Sequence, residues 1–190
     1  TGLTIISSEL SAKRLQLLKE AVSRISRVAI FGSTGVRGLS ALQVAEVQRA
    51  AKALRMETMS TQLERREQFK EQLALLRKWR ADSMYIIESP VNNFNRKLLA
   101  EFATQARLPM VCAEKGYTEA GALLSYGASY QAQSRRAATY VDKILKGAKP
   151  GDLPVEQPTT FELTINMKTA KTLGIKIPQL ILGRADTVIQ

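Results

Sequence analysis

Residues 28–38 have the sequence Val28-Ala29-Ile30-Phe31-Gly32-Ser33-Thr34-Gly35-Val36-Arg37-Gly38. The uninterrupted apolar run Val28–Phe31 is typical of a strand that is buried on both faces of a parallel sheet. The glycine-rich segment Gly32–Gly38 predicts a loop, and the apolar spacing after it predicts a helix that ends near Leu54. A polar strand at Glu57–Ser60 suits a sheet edge. Together these elements predict a βαβ unit.

The same alternation of helix and strand continues along the chain. Apolar residues at helical spacing predict helices at about 65–79 and 95–107, and short apolar runs predict strands near 84–87, 110–113 and 123–126. Five strands that alternate with helices predict an α/β fold, a doubly wound and mostly parallel five-stranded sheet flanked by helices. Ligands of such sheets lie at the carboxyl ends of the strands.

The C-terminal part of the chain differs in character from the rest. A long helix at about 129–146 leads into a Pro-rich connector, followed by a strand-like segment at 161–166, a short helix and an extended end. This tail is too small to form a core alone, so it must pack on the hinge, the main sheet or a partner. We therefore divide the chain into an α/β ligand-binding lobe, 1–128, and a tail, 129–190.

Composition restricts the chemistry. The 190 residues include no histidine and a single cysteine, Cys112, which lies in an apolar run. Histidine-based metal sites and Ser–His or Cys–His nucleophiles are therefore absent, so we expect no catalytic residue, no metal and no cofactor. Glu88 and Glu114 both follow strands and resemble an acid and base pair, but a ligand-orienting or solvated role is the better interpretation.

The formal net charge of +11 makes nucleic acids and membrane surfaces possible partners. The excess lies mainly in the first third of the chain, where it is scattered over amphipathic helices, and only 6% of residues are aromatic. The segment Arg77-Lys78-Trp79-Arg80 closes a helix, where cations favour the negative end of the dipole. The charge therefore predicts a solvated basic surface and no nucleic-acid partner.

The loop Gly32–Gly38 leaves a second interpretation open. A strand, a G-x-x-G-x-x-G loop and a helix together resemble a dinucleotide-binding unit, which would make this an NAD(P)-binding oxidoreductase domain. Glu57 lies near the place of a ribose-binding acid, but within the second strand. Tyr140 and Lys143 are three residues apart, which does not match the Tyr-x-x-x-Lys of short-chain dehydrogenases.

The C-terminal sequence resembles a known family. The similarity is carried by Arg135–Pro150, by Asp152–Pro158 and by Lys168–Gly174, with Phe161–Leu163 between them, and earlier by Thr1–Thr4, Lys13–Leu15, Leu17–Glu20 and Leu124–Gly127. These motifs are similar to those of ABC transporter substrate-binding proteins of the type I periplasmic binding protein fold. The resemblance covers essentially the whole chain.

The resemblance implies a solute-binding component, or a fragment of one, and no enzyme. Members of this family have two lobes joined by a hinge, clamp a small molecule between them and deliver it to a membrane permease. This chain resembles the second lobe and the C-terminal tail, so we expect surfaces meant for the first lobe to be exposed, and a homodimer or exchanged oligomer as a consequence. The family implies a periplasmic location, with the signal segment not present in this chain, and amino-acid-like or aromatic solutes.

On this topology the ligand-binding residues follow the strands at their carboxyl ends. Hydroxyl, amide and carboxylate groups would hydrogen-bond a polar ligand head, and a tyrosine would stack on its apolar or aromatic part. The expected residues are Ser33, Thr34, Ser89, Asn92, Glu114, Tyr117 and Tyr126.

Overall fold

Strands and helices alternate along the chain in the computed structural model, which describes residues 1–5, 9–32, 39–63 and 65–190. The strands are β1 (Gly2–Leu3), β2 (Arg27–Gly32), β3 (Glu57–Gln62), β4 (Ser83–Ile86), β5 (Met110–Cys112), β6 (Leu124–Ala128), β7 (Val155–Glu156), β8 (Phe161–Asn166) and β9 (Thr187–Ile189). The helices are α1 (Ser11–Ala21), α2 (Leu39–Ala53), α3 (Phe69–Trp79), α4 (Pro90–Phe94), α5 (Arg96–Ala106), α6 (Lys115–Ala120), α7 (Tyr130–Leu145), α8 (Met167–Leu173) and α9 (Gln179–Leu182).

The main sheet has the strand order β3-β2-β4-β5-β6-β8-β9. The first five of these strands are mutually parallel, β8 is antiparallel to β6, and β9 is parallel to β8. The predicted α/β fold with a mostly parallel sheet is therefore confirmed. The sheet has seven strands rather than five because the tail adds β8 and β9 to it, and β3 is the polar edge strand that its sequence indicates.

Two hydrophobic cores cover the two faces of the sheet. Along β2, Val28 and Ile30 pack in one core with side chains of α1 and α2, while Ala29 and Phe31 pack in the other with side chains of α3 and α5. This division explains the uninterrupted apolar run of β2, because neither face of the strand meets water. Cys112 is buried in β5, as its apolar surroundings indicate.

Three local predictions differ from the structure. No helix is predicted from the sequence between the strands at 110–113 and 123–126, but this segment contains α6, whose six residues are too few to show helical periodicity and include Gly116. The helix expected at 95–107 is preceded by α4, which begins at Pro90 with Ser89 as its N-cap. The end expected to be extended forms α9 and β9, and β9 pairs with β8.

A small second sheet joins the first described strand to the segment that follows α7. In it β1 pairs in parallel with β7, and Glu156 of β7 accepts two hydrogen bonds from the guanidinium of Arg136 on α7. This contact lowers the pKa of Glu156 to about 2. Within the described ranges, no helix has both the length and the apolar character that a membrane span needs. The division at residue 128 and the homodimer stay predictions.

Candidate ligand-binding site

An open cleft of about 1040 Å³ lies at the carboxyl edge of the parallel strands. Strands β5 and β6 end there, and β8 and β9 begin there because they run against β6. The cleft is therefore built from the segments that follow or precede strands at a single sheet edge, where α/β proteins hold ligands. Its lining includes Arg96, Glu114, Lys115, Gly116, Glu119, Gly127, Ser129, Tyr130, Thr159, Thr160, Phe161, Glu162, Asp186 and Thr187.

Opposite charges meet at one end of this cleft. Glu114 is the N-cap residue of α6, Arg96 begins α5, and Gly116 lies between them. A Cβ atom at Gly116 would lie 3.3 Å from the Glu114 Oε1 atom and 3.8 Å from the Arg96 Nε atom. A carboxylate and a guanidinium therefore both lie close to Gly116, and a side chain at this position would crowd the carboxylate.

A second carboxylate reinforces the negative side of the site. Glu88 follows β4, and its Oε1 atom accepts a hydrogen bond of 3.0 Å from the Tyr130 hydroxyl group. Burial raises the pKa of Glu114, the charge of Glu88 raises it further, and Arg96 opposes the shift. Burial and then the Glu88 charge also raise the pKa of the Tyr130 hydroxyl, which therefore stays protonated and keeps donating. The two carboxylates that follow strands are thus neighbours at the carboxyl edge.

Aromatic residues also line the cleft. Phe161 and Tyr130 border it directly. The rings of Tyr126 and Phe161 are neighbours, with 6.1 Å between ring centroids and 39° between ring planes. The site thus combines paired opposite charges with apolar surface, which is the usual composition of a pocket that orients a small organic ligand.

Two expected ligand residues instead hold the backbone together. The Ser89 hydroxyl accepts a hydrogen bond of 3.0 Å from the Asn92 backbone N–H, which caps α4. The Asn92 side-chain amide donates to the carbonyl oxygens of Phe31 and Ile87, which lie at the ends of β2 and β4. Both side chains are buried, so these hydrogen bonds fix the strand ends near the cleft.

The expected tyrosines lie beneath the surface of the site. Tyr117 is fully buried and its hydroxyl donates to the Asn93 Oδ1 atom at 2.7 Å. Tyr126 is half-buried, and its carbonyl oxygen accepts a hydrogen bond of 2.7 Å from the Arg14 Nε atom. Ser33 and Thr34 lie outside the described residues. Of the expected residues that the structure describes, Glu114 is the one that lines the cleft.

Sequence reasoning missed Arg96, Gly116, Tyr130 and Phe161. Gly116 and Tyr130 occupy the first turns of helices that follow β5 and β6, so a search of helix starts after strands would have found them. Nothing in the sequence distinguishes Arg96 from an ordinary solvated charge on a helix. Phe161 was assigned to the tail, and its place in the site depends on the pairing of β8 with β6.

Comparisons with known proteins agree with this architecture. The family described as ABC transporter substrate binding protein matches residues 1–189. The tyrosine-binding protein of Clostridioides difficile is 25% identical over 95 residues, which make up 50% of this chain and 28% of that protein. A conserved domain protein from Vibrio cholerae has a solved structure with a TM-score of 0.85 and 25% identity, covering 99% of this chain and 62% of that chain.

A further solved structure has the same fold. The ABC domain from Streptococcus pneumonia in complex with L-Trp has a TM-score of 0.81 and 21% identity, covering 94% of this chain and 62% of that chain. The chain thus spans 62% of the length of both solved relatives. The type I periplasmic binding protein fold is confirmed. Because the family match extends over nearly all residues, this chain belongs to the ABC transporter substrate binding protein family.

Proposed function

We propose that this chain forms one wall of the ligand cleft in the solute-binding component of an ABC importer, and that the solute is an amino acid with an aromatic side chain. The observation that carries the proposal is that the Glu114 carboxylate and the Arg96 guanidinium both lie beside Gly116 in the cleft. An amino acid has an ammonium and a carboxylate on one carbon atom. A site for it needs a negative and a positive side chain in one cleft, and Glu114 and Arg96 provide them.

The geometry assigns each charge a partner. Glu114, with Glu88 behind it, would accept hydrogen bonds from the ligand ammonium, and Arg96 would donate to the ligand carboxylate. The pKa of Glu114 is raised by burial and by the charge of Glu88. A bound ammonium would reverse that effect, because a cation favours the ionised form of a carboxyl.

The aromatic part of the ligand would lie on Phe161 and Tyr130. Both residues line the same cleft as the charges, and ring pairs favour offset or edge-to-face contact. The relative named tyrosine-binding protein supports this choice of solute, since its match extends over half of this chain.

Family membership supports delivery of the solute to a membrane permease and an extracytoplasmic place of work. In the expected two-lobed protein the opposite wall of the cleft belongs to the first lobe. The expected alternative, an NAD(P)-binding oxidoreductase, has its glycine loop largely outside the described residues. The family match favours solute binding over that alternative.

Titration of the 190-residue chain with L-tryptophan or L-tyrosine, followed by amide NMR, tests this proposal. One wall alone should bind weakly, so shifts at Glu114, Gly116 and Arg96 are expected with a dissociation constant of about 1 mM or above. Tryptamine, which lacks the carboxylate, and N-acetyltryptophan, which lacks the ammonium, should each shift these signals less. Absence of any shift at this edge of the sheet at about 10 mM ligand would contradict the proposal.

Glu114→Gln should weaken L-tryptophan binding by about tenfold, because an amide lacks the charge that attracts the ammonium. Affinity of the unchanged protein should fall on acidification, beginning above the usual range of a glutamate because the pKa of Glu114 is raised. The variant should lack this pH dependence. Glu71→Gln, on the exposed surface of α3, is the matched control and should bind as the unchanged protein does. Equal affinities for both variants would count against Glu114.

Gly116→Ala should weaken ligand binding without loss of stability. The added methyl group would crowd the Glu114 carboxylate beside Arg96. Inside a helix, however, alanine is favoured over glycine by up to about 1 kcal/mol. We therefore expect a midpoint of thermal unfolding that is equal or higher, together with an affinity for L-tryptophan that is several-fold lower. A variant that binds as tightly as the unchanged protein would show that the ligand lies elsewhere in the cleft.

A further inference from the structure

Three arginines have the same unusual backbone conformation at the amino edge of the sheet, opposite the cleft. Arg55, Arg80 and Arg107 follow α2, α3 and α5 and precede β3, β4 and β5, and their φ angles are 56°, 58° and 56°. Helices commonly end with a left-handed residue, but that residue is usually glycine or asparagine because a Cβ atom is disfavoured in this conformation. All three side chains are exposed. Nothing in the packing therefore requires arginine at these positions.

More cations gather along this edge. Arg24 follows α1 and Arg77 lies in the last turn of α3, and both are exposed. We call the group Arg24, Arg55, Arg77, Arg80 and Arg107 the basic edge. A cation in a last turn is favoured by the helix dipole, which accounts for Arg77. The dipole does not explain why three left-handed positions in succession carry arginine.

The acids near the basic edge are already engaged. Asp82 accepts hydrogen bonds from the backbone N–H groups of Ser26 and Arg27, and Glu57 forms an ion pair of 3.2 Å with the Arg27 side chain. Among the residues that the structure describes, no ion pair involves a member of the basic edge. Because its five arginines outnumber these two carboxylates, the basic edge keeps a net positive charge.

Charge is separated across the molecule. The cleft at the carboxyl edge is lined by Glu114, Glu119, Glu162 and Asp186, against Arg96 and Lys115. The whole chain has a net charge of +11. An anionic surface would therefore attract the basic edge and repel the rim of the cleft, which orients the protein before contact.

We propose that the basic edge binds a membrane surface rich in anionic phospholipids and leaves the cleft open to solution. Arg55, Arg80 and Arg107 precede three different strands of one sheet, so the cations are spread along its edge, as contact with an extended surface requires. The aromatic residue of this edge in the described chain is Trp79, which is partly buried, so exposed rings for base stacking are lacking. The family works with a membrane transporter, which places an extended membrane surface beside the protein.

Co-sedimentation of the full 190-residue chain with lipid vesicles tests the proposal. Vesicles of phosphatidylcholine with about 30% phosphatidylglycerol should bind the protein at about 50 mM NaCl and release most of it at about 500 mM, because salt screens exposed charges. Vesicles of phosphatidylcholine alone should not bind it. Failure to bind the anionic vesicles at low salt would overturn the proposal.

The matched variant replaces the three left-handed arginines, Arg55→Gly with Arg80→Gly and Arg107→Gly. Glycine is favoured in this conformation, so the midpoint of thermal unfolding should be kept or raised. The partition coefficient on anionic vesicles should fall by about tenfold or more. The control removes the same charge elsewhere, by Arg135→Gln, Lys143→Gln and Lys149→Gln, and should lose about twofold or less. If both variants lose vesicle binding equally, binding depends on net charge alone, and the assignment to the basic edge is overturned.

A lysine variant and a competition with DNA complete the test. The lysine version, Arg55→Lys with Arg80→Lys and Arg107→Lys, keeps the charge and should keep vesicle binding whatever the glycine variant does to folding. Its loss of binding would contradict a surface that recognises charge. Short duplex DNA at equal phosphate concentration should not displace the protein from the vesicles, and displacement by DNA would reject the lipid assignment.

Discussion

Gly127→Ala should lower the free energy of unfolding by about 3 kcal/mol, because β5 and β6 are too close at this point for a side chain. A Cβ atom at Gly127 would overlap the carbonyl oxygen of Ala113 and lie 3.2 Å from its carbonyl carbon. Both obstacles are backbone atoms at the carboxyl edge, so no side chain can rotate to relieve the contact. The Nη2 atom of buried Arg14 stands 3.4 Å away and limits movement on that side.

The same substitution should also impair ligand binding. Gly127 and Ala113 both line the cleft, so separation of β5 from β6 moves Glu114 relative to Tyr130. Urea unfolding measures the stability, and the L-tryptophan titration measures the site. Gly151→Ala is the control, because a Cβ atom there has no neighbour within 4 Å, and it should change stability by about 0.5 kcal/mol or less. A stable Gly127→Ala variant would show that the strands can separate at little cost.

The parallel part of the sheet could be predicted because its signals are local. Val28–Phe31 forms a buried strand with both faces covered, and the run itself shows this without reference to distant residues. The partner of β8 could not be predicted in the same way. Phe161–Asn166 alternates polar and apolar residues, which predicts a strand but does not specify the edge to which it pairs. That choice depends on contact with β6, far away in sequence.

Proximity to the cleft could be predicted for Glu114, which follows a strand, but not for a residue one helical turn later. Glu114 comes immediately after the segment of β5 and lines the cleft. Tyr117 is three residues further on, and α6 turns its ring into the core, where its hydroxyl donates to Asn93. A six-residue helix is too short to reveal from sequence which side faces inward. Arg96 reaches the cleft because α5 packs beside α6. No local sequence pattern predicts this packing.

Arg14→Met should lower the free energy of unfolding by about 3 kcal/mol, since it removes hydrogen bonds from a charged group to buried partners. Arg14 is 3% exposed, and its Nε atom donates to the Tyr126 carbonyl oxygen while Nη1 contacts the Tyr85 hydroxyl at 3.2 Å. Replacing a buried ion pair with apolar residues can be harmless because both charges leave together. Arg14→Met removes only the donor, and the Tyr126 carbonyl and the Tyr85 hydroxyl remain behind in the protein interior.

Arg14→Lys should not keep the stability of the unchanged protein. Its ammonium is compact and cannot reproduce the planar arrangement in which a guanidinium donates to two separate acceptors. Lys13→Met is the matched control on the same helix, because Lys13 is only partly buried, and a change of about 0.5 kcal/mol or less is expected. Urea unfolding, analysed with one common m-value, measures the free energy of unfolding of Arg14→Met, Arg14→Lys and Lys13→Met. If Arg14→Met is as stable as Lys13→Met, the buried guanidinium does not hold β6 to α1. Since the rings of Tyr126 and Phe161 are neighbours, a loss of stability in Arg14→Met should also change the L-tryptophan titration at Phe161.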